Sequence, residues 1–297
     1  MERARISASR MGAEPLPSRP GGDTQSNRVS PYSPEFFRSN RESGLRSAGV
    51  VIPLLLKLLS PFRPQSVVDL GCGAGGWVAT WLSHGITDVL GIDGDYVDKS
   101  AMVIPTSNFL ALDLTLPVKL NRKFDLAVSL EVGEELPPES SDTLVESLIG
   151  LSPLVLFSAA VPHQEGRNHV NEQWPEYWVQ RFRARGYAVA DLLRSRLWNN
   201  DTVNYYYAQN ILLFVRRDRL SDYPTLVGKV LEDALLLVHP KNYLYKVELL
   251  KENMDLLERL KAYDVRNLSL RVLLSLVPTK VATAIKRRFV RGDQSRW

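Results

Sequence analysis

The 297-residue chain is 44% hydrophobic and 24% charged, an ordinary balance for a soluble globular protein and enough length for one large domain with an appendage. Its single cysteine, Cys72, excludes an intramolecular disulfide and a Cys-rich metal site, and points to a reducing, cytosolic setting. The formal charge of +4 is local: six basic residues between 280 and 296 face only Asp293, which leaves the rest at about −1 and without the basic face that a nucleic-acid enzyme needs.

Residues 1–31 hold five Ser, five Arg, four Pro and three Gly with few large apolar residues, and are expected to be a disordered tail. Arginines 3, 5 and 10 precede no apolar h-region, and no apolar run is long enough to span a membrane. From Pro34 the apolar residues Phe36, Phe37, Leu45, Val50, Val51, Leu54, Leu55, Leu58 and Leu59 recur at helical spacing as far as Pro61 and Pro64, predicting one or two helices.

Apolar runs suited to buried strands then alternate with helical stretches: 66–70, 89–92, 109–112, 125–130 and 154–161, with a crossover helix around Leu144, Val145, Leu148 and Ile149. That rhythm predicts parallel βαβ units, and 187–193 with 210–215 a terminal hairpin, giving a doubly wound α/β, Rossmann-like sheet of seven strands. Residues 32–217 form the core domain in this reading, and 218–297 a helical C-terminal extension. In the extension, 227–238 and 245–263 read as amphipathic helices, the second with a stripe of Leu249, Leu250, Met254, Leu257 and Leu260 that packs on its own domain or on a homodimer partner. The mixed basic and apolar stretch 267–297 suits either an anionic membrane surface or a docked helix with a solvated tip. The expected location is cytoplasmic, with peripheral membrane contact the alternative.

Residues 66–77 read SVVDLGCGAGGW. Glycines 71, 73 and 75 let a chain turn from strand to helix and bring N–H groups close to a ligand, with Cys72 between them. The acid ahead of the turn, Asp69, opposes a pyrophosphate but suits the cationic amino group of a methionine moiety, which favours S-adenosylmethionine over a dinucleotide. Asp93, followed by Gly94, ends the second strand and can accept from ribose hydroxyls; Asp113, followed by Leu114, ends the third and can accept from an adenine amino group. Leu130 ends the fourth. Each acid taken singly also reads as a helix or turn cap.

In these motifs and their order, residues 32–216 resemble the class I S-adenosylmethionine-dependent methyltransferases. More narrowly, SVVDLGCGAGGW, VLGIDGDYV, FDLAVSLEVGEELP, FSAAVP, HVNEQWPEYW and YYYAQNILLFV resemble a bacterial group associated with surface-glycan biosynthesis. The resemblance implies a saccharide or glycosylated metabolite as acceptor. Glu131, Glu134 and Glu135 stand at the end of the fourth strand, where relatives show Glu-x-x-Glu-His, an arrangement that helps bind a divalent metal in ubiquinone-pathway and small-RNA methyltransferases; here Glu135 replaces the histidine. A carboxylate cluster still suits Mg²⁺, and the alternative is a solvated helix start at Glu134 and Glu135.

Methyl transfer to a hydroxyl needs a base, and of the four histidines only His163 and His169 fall just past a central strand. His169 is the expected base, with Glu131 beside the methyl group. Asn171, Glu172 and Gln173 are expected to bond acceptor hydroxyls, and Trp174, Tyr177 and Trp178 to offer flat faces, unless these aromatics pack as core. Tyr32, Phe36, Phe37, Ser47 and Ala48, and later Trp198, Tyr206, Tyr207, Gln209 and Asn210, are further candidates to lid or floor the site. The competing readings are methylation of another small molecule or natural product, and a catalytically silent cofactor-binding interaction protein.

Overall fold

The computed structural model describes residues 34–231 and 236–262. The expectations for the tail 1–31, for Tyr32 and for the basic stretch 267–297 lie outside the described residues. One long helix, α1 (Pro34–Leu59), leads into β1 (Ser66–Leu70), α2 (Gly76–Ser83), β2 (Asp88–Asp93), β3 (Phe109–Ala111) and β4 (Leu126–Leu130). There follow α3 (Ser141–Leu151), β5 (Leu154–Ser158), α4 (Pro175–Ala184), β6 (Tyr187–Ala190), α5 (Arg194–Leu197), α6 (Tyr205–Asn210), β7 (Leu212–Arg216) and α7 (Pro240–Ala262).

The strands form one seven-stranded sheet in the order β3-β2-β1-β4-β5-β7-β6, with the first five parallel and β7 antiparallel to both its neighbours. The apolar runs are continuous because both faces of the sheet are covered. Leu126, Val128, Leu154 and Leu156 face the core under α1 and α2. Their neighbours Ala127, Val155 and Phe157 face α3 and α4 on the other side. In such an open sheet the crevice at the carboxyl ends of the parallel strands is where a ligand fits.

The final pair differs from a simple hairpin. β7 pairs with β6, as expected, but it also enters the sheet beside β5, with Leu154 opposite Val215. The connection carries α5 and α6, so Gln209 and Asn210 close a helix instead of opening a strand. The helix expected over 227–238 does not form among its described residues. Gly228 takes a left-handed φ of 74°, Leu231 makes an isolated antiparallel bridge to Val189, and 236–239 are irregular before Pro240 starts α7. The α7 stripe of Leu250, Met254, Leu257 and Leu260 is solvent-exposed in the single chain. No helix among the described residues is long and apolar enough to cross a membrane.

Candidate functional site

A cavity of about 850 Å³ opens at the carboxyl edge of the sheet. One half is bordered by Gly71, Cys72, Gly73, Asp93, Gly94, Asp113 and Leu114, the other by Leu130, Glu131, Glu134, Glu135, Gln164 and His169, with Tyr206 and Tyr207 beside them. Arg41, Gly44 and Trp77 close one wall from α1 and α2.

The loop between β1 and α2 can be built only with glycine at two places. Gly71 has a φ of +88°, and a Cβ on it would stand 2.1 Å from Cγ2 of Val132. Gly75 caps α2 at a φ of +85°, where a Cβ would meet Ile104 at 2.8 Å. Gly71→Ala is therefore expected to destabilise the fold by about 2 to 4 kcal/mol, from left-handed strain together with overpacking. Thermal unfolding of Gly71→Ala and of the Gly71→Ala/Val132→Ala double variant checks this: the double variant should recover the steric share, and equal midpoints for both would contradict it.

Asp69 sits at 3% exposure at the end of β1, behind the loop instead of among the residues bordering the cavity. Burial, and then the Asp93 carboxylate, push it up to about 8. Asp93 is also buried, which raises it, but three hydrogen bonds oppose that shift. Gly73 N donates to its Oδ2, and Gly94 N and the Tyr96 hydroxyl donate to its Oδ1, all at 2.7 Å. Asp93 thus holds the glycine loop against β2. Asp113 borders the cavity while its Oδ1 accepts from Thr115 N (2.9 Å) and Oγ1 (2.7 Å), so the capping reading and the site position coexist in one residue. The Cys72 thiol is buried, which pushes it well up, and its Sγ packs under Gly91.

On the opposite side Glu131 adopts a left-handed φ of 56° directly after β4, held by its N–H to Ser158 O (3.0 Å). Its Oε2 accepts from Gln164 Nε2 at 2.7 Å and its Oε1 from Asn210 Nδ2 at 3.1 Å. Glu134 is fully buried, and neither carboxyl oxygen has a hydrogen-bond partner; burial and then Glu131 push it well above the usual range. α3 starts only at Ser141, which removes the solvated helix start expected at Glu134 and Glu135. Among the described residues no group of three or more His, Cys, Asp or Glu side chains is placed to hold a metal ion. Both Glu131 oxygens accept from amide donors, and no step below runs through a metal.

His169 borders the cavity and pairs through Nδ1 with Glu172 Oε1 at 2.9 Å. The same carboxylate accepts from Glu165 N (2.8 Å) and His163 N (2.6 Å), so Glu172 anchors the loop and aligns the imidazole in one contact set. His163, Glu165 and Asn168 all have positive φ in this loop, so it is tightly specified. The remaining acceptor candidates do not border the cavity. Asn171 donates to Gly133 O (3.1 Å) and Ser141 Oγ (3.0 Å), Gln173 to Asn171 Oδ1 (3.1 Å), and the Tyr177 hydroxyl to Ser141 Oγ (2.9 Å). Trp174 is 42% exposed ahead of α4, and Trp178 packs on Phe157. Ser47 Oγ accepts from Asn204 N (3.1 Å), and Ala48 lies in the core. Gln164, Arg41 and Trp77 also border the cavity without a local sequence signal, Gln164 standing in the polar run HQEGRN.

No family model matches this chain, and no curated protein does. Among solved structures it resembles the methyltransferase domain of bacterial CtHen1 at 16% identity and a TM-score of 0.43, covering 58% of this chain and 99% of that one. Streptomyces venezuelae DesVI follows at 15% identity and 0.44, covering 61% and 95%. Magnesium protoporphyrin IX methyltransferase from Synechocystis, solved with bound S-adenosylmethionine, stands at 19% and 0.42, covering 66% and 86%. The seven-stranded mixed sheet with flanking helices is a Rossmann-like arrangement in its own right. Similarity at this level carries no argument, and the functional reading rests on this chain's own residues.

Proposed function

We propose that the protein is an S-adenosylmethionine-dependent methyltransferase whose acceptor is a small polyhydroxylated molecule, a saccharide or a glycosylated metabolite. The observation that carries this reading is a single cavity with two chemically different halves. Asp93 and Asp113 border it on one side beside a glycine turn, with Asp69 buried behind that turn, and His169, aligned by Glu172, borders it on the other.

The donor half fits the cofactor. Asp69 is a buried acid with a strongly raised pKa, which is the condition of a carboxyl waiting for a cationic partner such as an α-ammonium. Asp93 brings a carboxylate edge to the ribose position, and space beside Gly73 is open where a Cβ would otherwise intrude. When bound, the cofactor supplies an electrophilic methyl group on a sulfonium.

On the acceptor side, Nδ1 of His169 donates to Glu172, which leaves Nε2 as the atom that takes a proton from the acceptor hydroxyl. Glu131, Gln164 and the Tyr206 hydroxyl are polar partners suited to a ring bearing several hydroxyls. The flat faces expected from Trp174 and Tyr177 are replaced by Tyr206 and Tyr207. Isothermal titration tests the donor half: Asp93→Ala should weaken S-adenosylmethionine binding by roughly tenfold to a hundredfold, since charge-assisted hydrogen bonds are lost and the Gly73 N–H is orphaned. Wild-type protein that fails to bind, or binding unchanged in Asp93→Ala, would overturn the proposal. A screen of glycan extracts with labelled cofactor then separates a methyltransferase from a silent binding protein, which would bind and transfer nothing.

A further inference from the structure

The side chains behind Glu131 form a chain of amides with one direction. It starts at the backbone N–H of His239, which can only donate, and which bonds Gln209 Oε1 at 2.8 Å. Asn242 Nδ2, at the start of α7, adds a longer bond of 3.4 Å to the same oxygen. With its oxygen so fixed, Gln209 must turn Nε2 the other way, to Gln164 Oε1 (3.1 Å) and Asn210 Oδ1 (3.0 Å). Gln164, accepting on Oε1, then presents its own Nε2 to Glu131. Asn210 likewise turns Nδ2 to Gln164 Oε1 (2.8 Å) and to Glu131. All three amides are at most 4% exposed, so water cannot substitute for a missing partner.

His239 itself is held firmly. Its Nδ1 accepts from Lys241 N at 3.2 Å, which leaves Nε2 protonated to donate to Trp198 O at 2.8 Å. A second tie joins the same elements, because Lys246 on α7 pairs with Glu165 of the His169 loop.

We propose that the segment entering α7 is a working part of the acceptor site, and that Gln209 and Gln164 are positioning residues that aim N–H donors at Glu131. The wiring is a property of the chain; that it serves methyl transfer rests on the function proposed above. Buried amides are ambiguous groups, free to rotate by half a turn at little steric cost. A backbone donor at one end removes that ambiguity for the whole chain, and so fixes which face of Glu131 is left for the acceptor.

The test follows the side-chain NH₂ signals of Gln164 in full-length protein labelled with ¹⁵N-glutamine and assigned through Gln164→Met. Wild type should show exchange of this group slowed by roughly tenfold or more relative to a free amide. In Gln209→Glu, which keeps the acceptor for His239 N–H but cannot donate, protection should be lost. His239→Pro, which removes the backbone donor, should do the same, while His239→Ala, which keeps it, should not. Retained protection in Gln209→Glu, or equal behaviour of the two His239 variants, overturns the proposal, and the His239 pair decides if Gln209→Glu does not fold. These signals need no ligand, so wild type that binds no cofactor would sink the methyl-transfer reading and leave the wiring standing. On an acceptor found by the glycan screen, Gln209→Glu should lower kcat by about tenfold with KM for S-adenosylmethionine unchanged, because geometry and not cofactor binding is lost. An unchanged kcat would deny the network its role in the site.

Discussion

Replacing His169 with alanine is expected to lower turnover by roughly 10² to 10⁴-fold, the usual loss when a general base is removed. The affinity for S-adenosylmethionine should stay within about twofold of wild type, because His169 bonds Glu172 in the acceptor half of the cavity and not the glycine turn. The two quantities separate base from scaffold: steady-state kinetics report the first and titration calorimetry the second. Glu172 provides an internal check. As a carboxylate it accepts three N–H groups, from His163, Glu165 and the His169 ring. Glu172→Gln has a single acceptor oxygen and turns an NH₂ toward a donor, so it should disturb both the loop and the tautomer and fall between wild type and His169→Ala. Near-normal turnover in His169→Ala would hand the proton to another group, with Glu131 a candidate in the same half of the cavity.

The parts of the fold that could be read from sequence are those with local causes. Val67, Val68, Leu126 to Val128 and Leu154 to Phe157 are apolar at every position because both sheet faces are covered, and that leaves a plain mark. The acids at the strand ends could be placed because a strand end fixes which edge of the sheet its residue occupies. Where β7 enters the sheet is not a local matter: pairing with β5 depends on Leu212 to Val215 meeting Leu154 to Phe157 across more than fifty residues of chain. α6 is six residues long and is held by Trp77 Nε1 donating to the Tyr207 hydroxyl and by edge-on contact of those rings, so no helical period announces it.

The acceptor residues show the same division. In HVNEQWPEYW the composition marks a crowded polar and aromatic segment, but not which residues face the ligand. Asn171 and Tyr177 turn inward to Ser141 and Gly133 because buried polar atoms must find partners, and those partners lie some thirty residues earlier in the chain. The groups that do face the cavity there are the ring of His169, which opens the segment, and Gln164 from the loop just before it.

Cofactor binding is expected to release close to one proton at neutral pH, and the source is Asp69. In the free protein its carboxyl sits at about 8, so at pH 7 it is mostly protonated. A cationic amino group brought against it stabilises the carboxylate and drives the proton out. Affinity should therefore climb by up to roughly tenfold per pH unit between about 6 and 8, then level off. The free protein has the opposite sign. A carboxyl whose folded pKa exceeds its unfolded value adds stability that is present below the unfolded value near 3.8 and is lost as pH rises through about 8. The rise in melting temperature produced by cofactor should thus grow across the window in which the free protein weakens. Calorimetry in two buffers of different ionisation enthalpy counts the proton, and Asp69→Asn should abolish both its release and the pH slope while weakening binding. A flat affinity with no proton released would mean that Asp69 does not meet the cofactor's cation, and the choice of S-adenosylmethionine over a dinucleotide would lose the acid on which it stands.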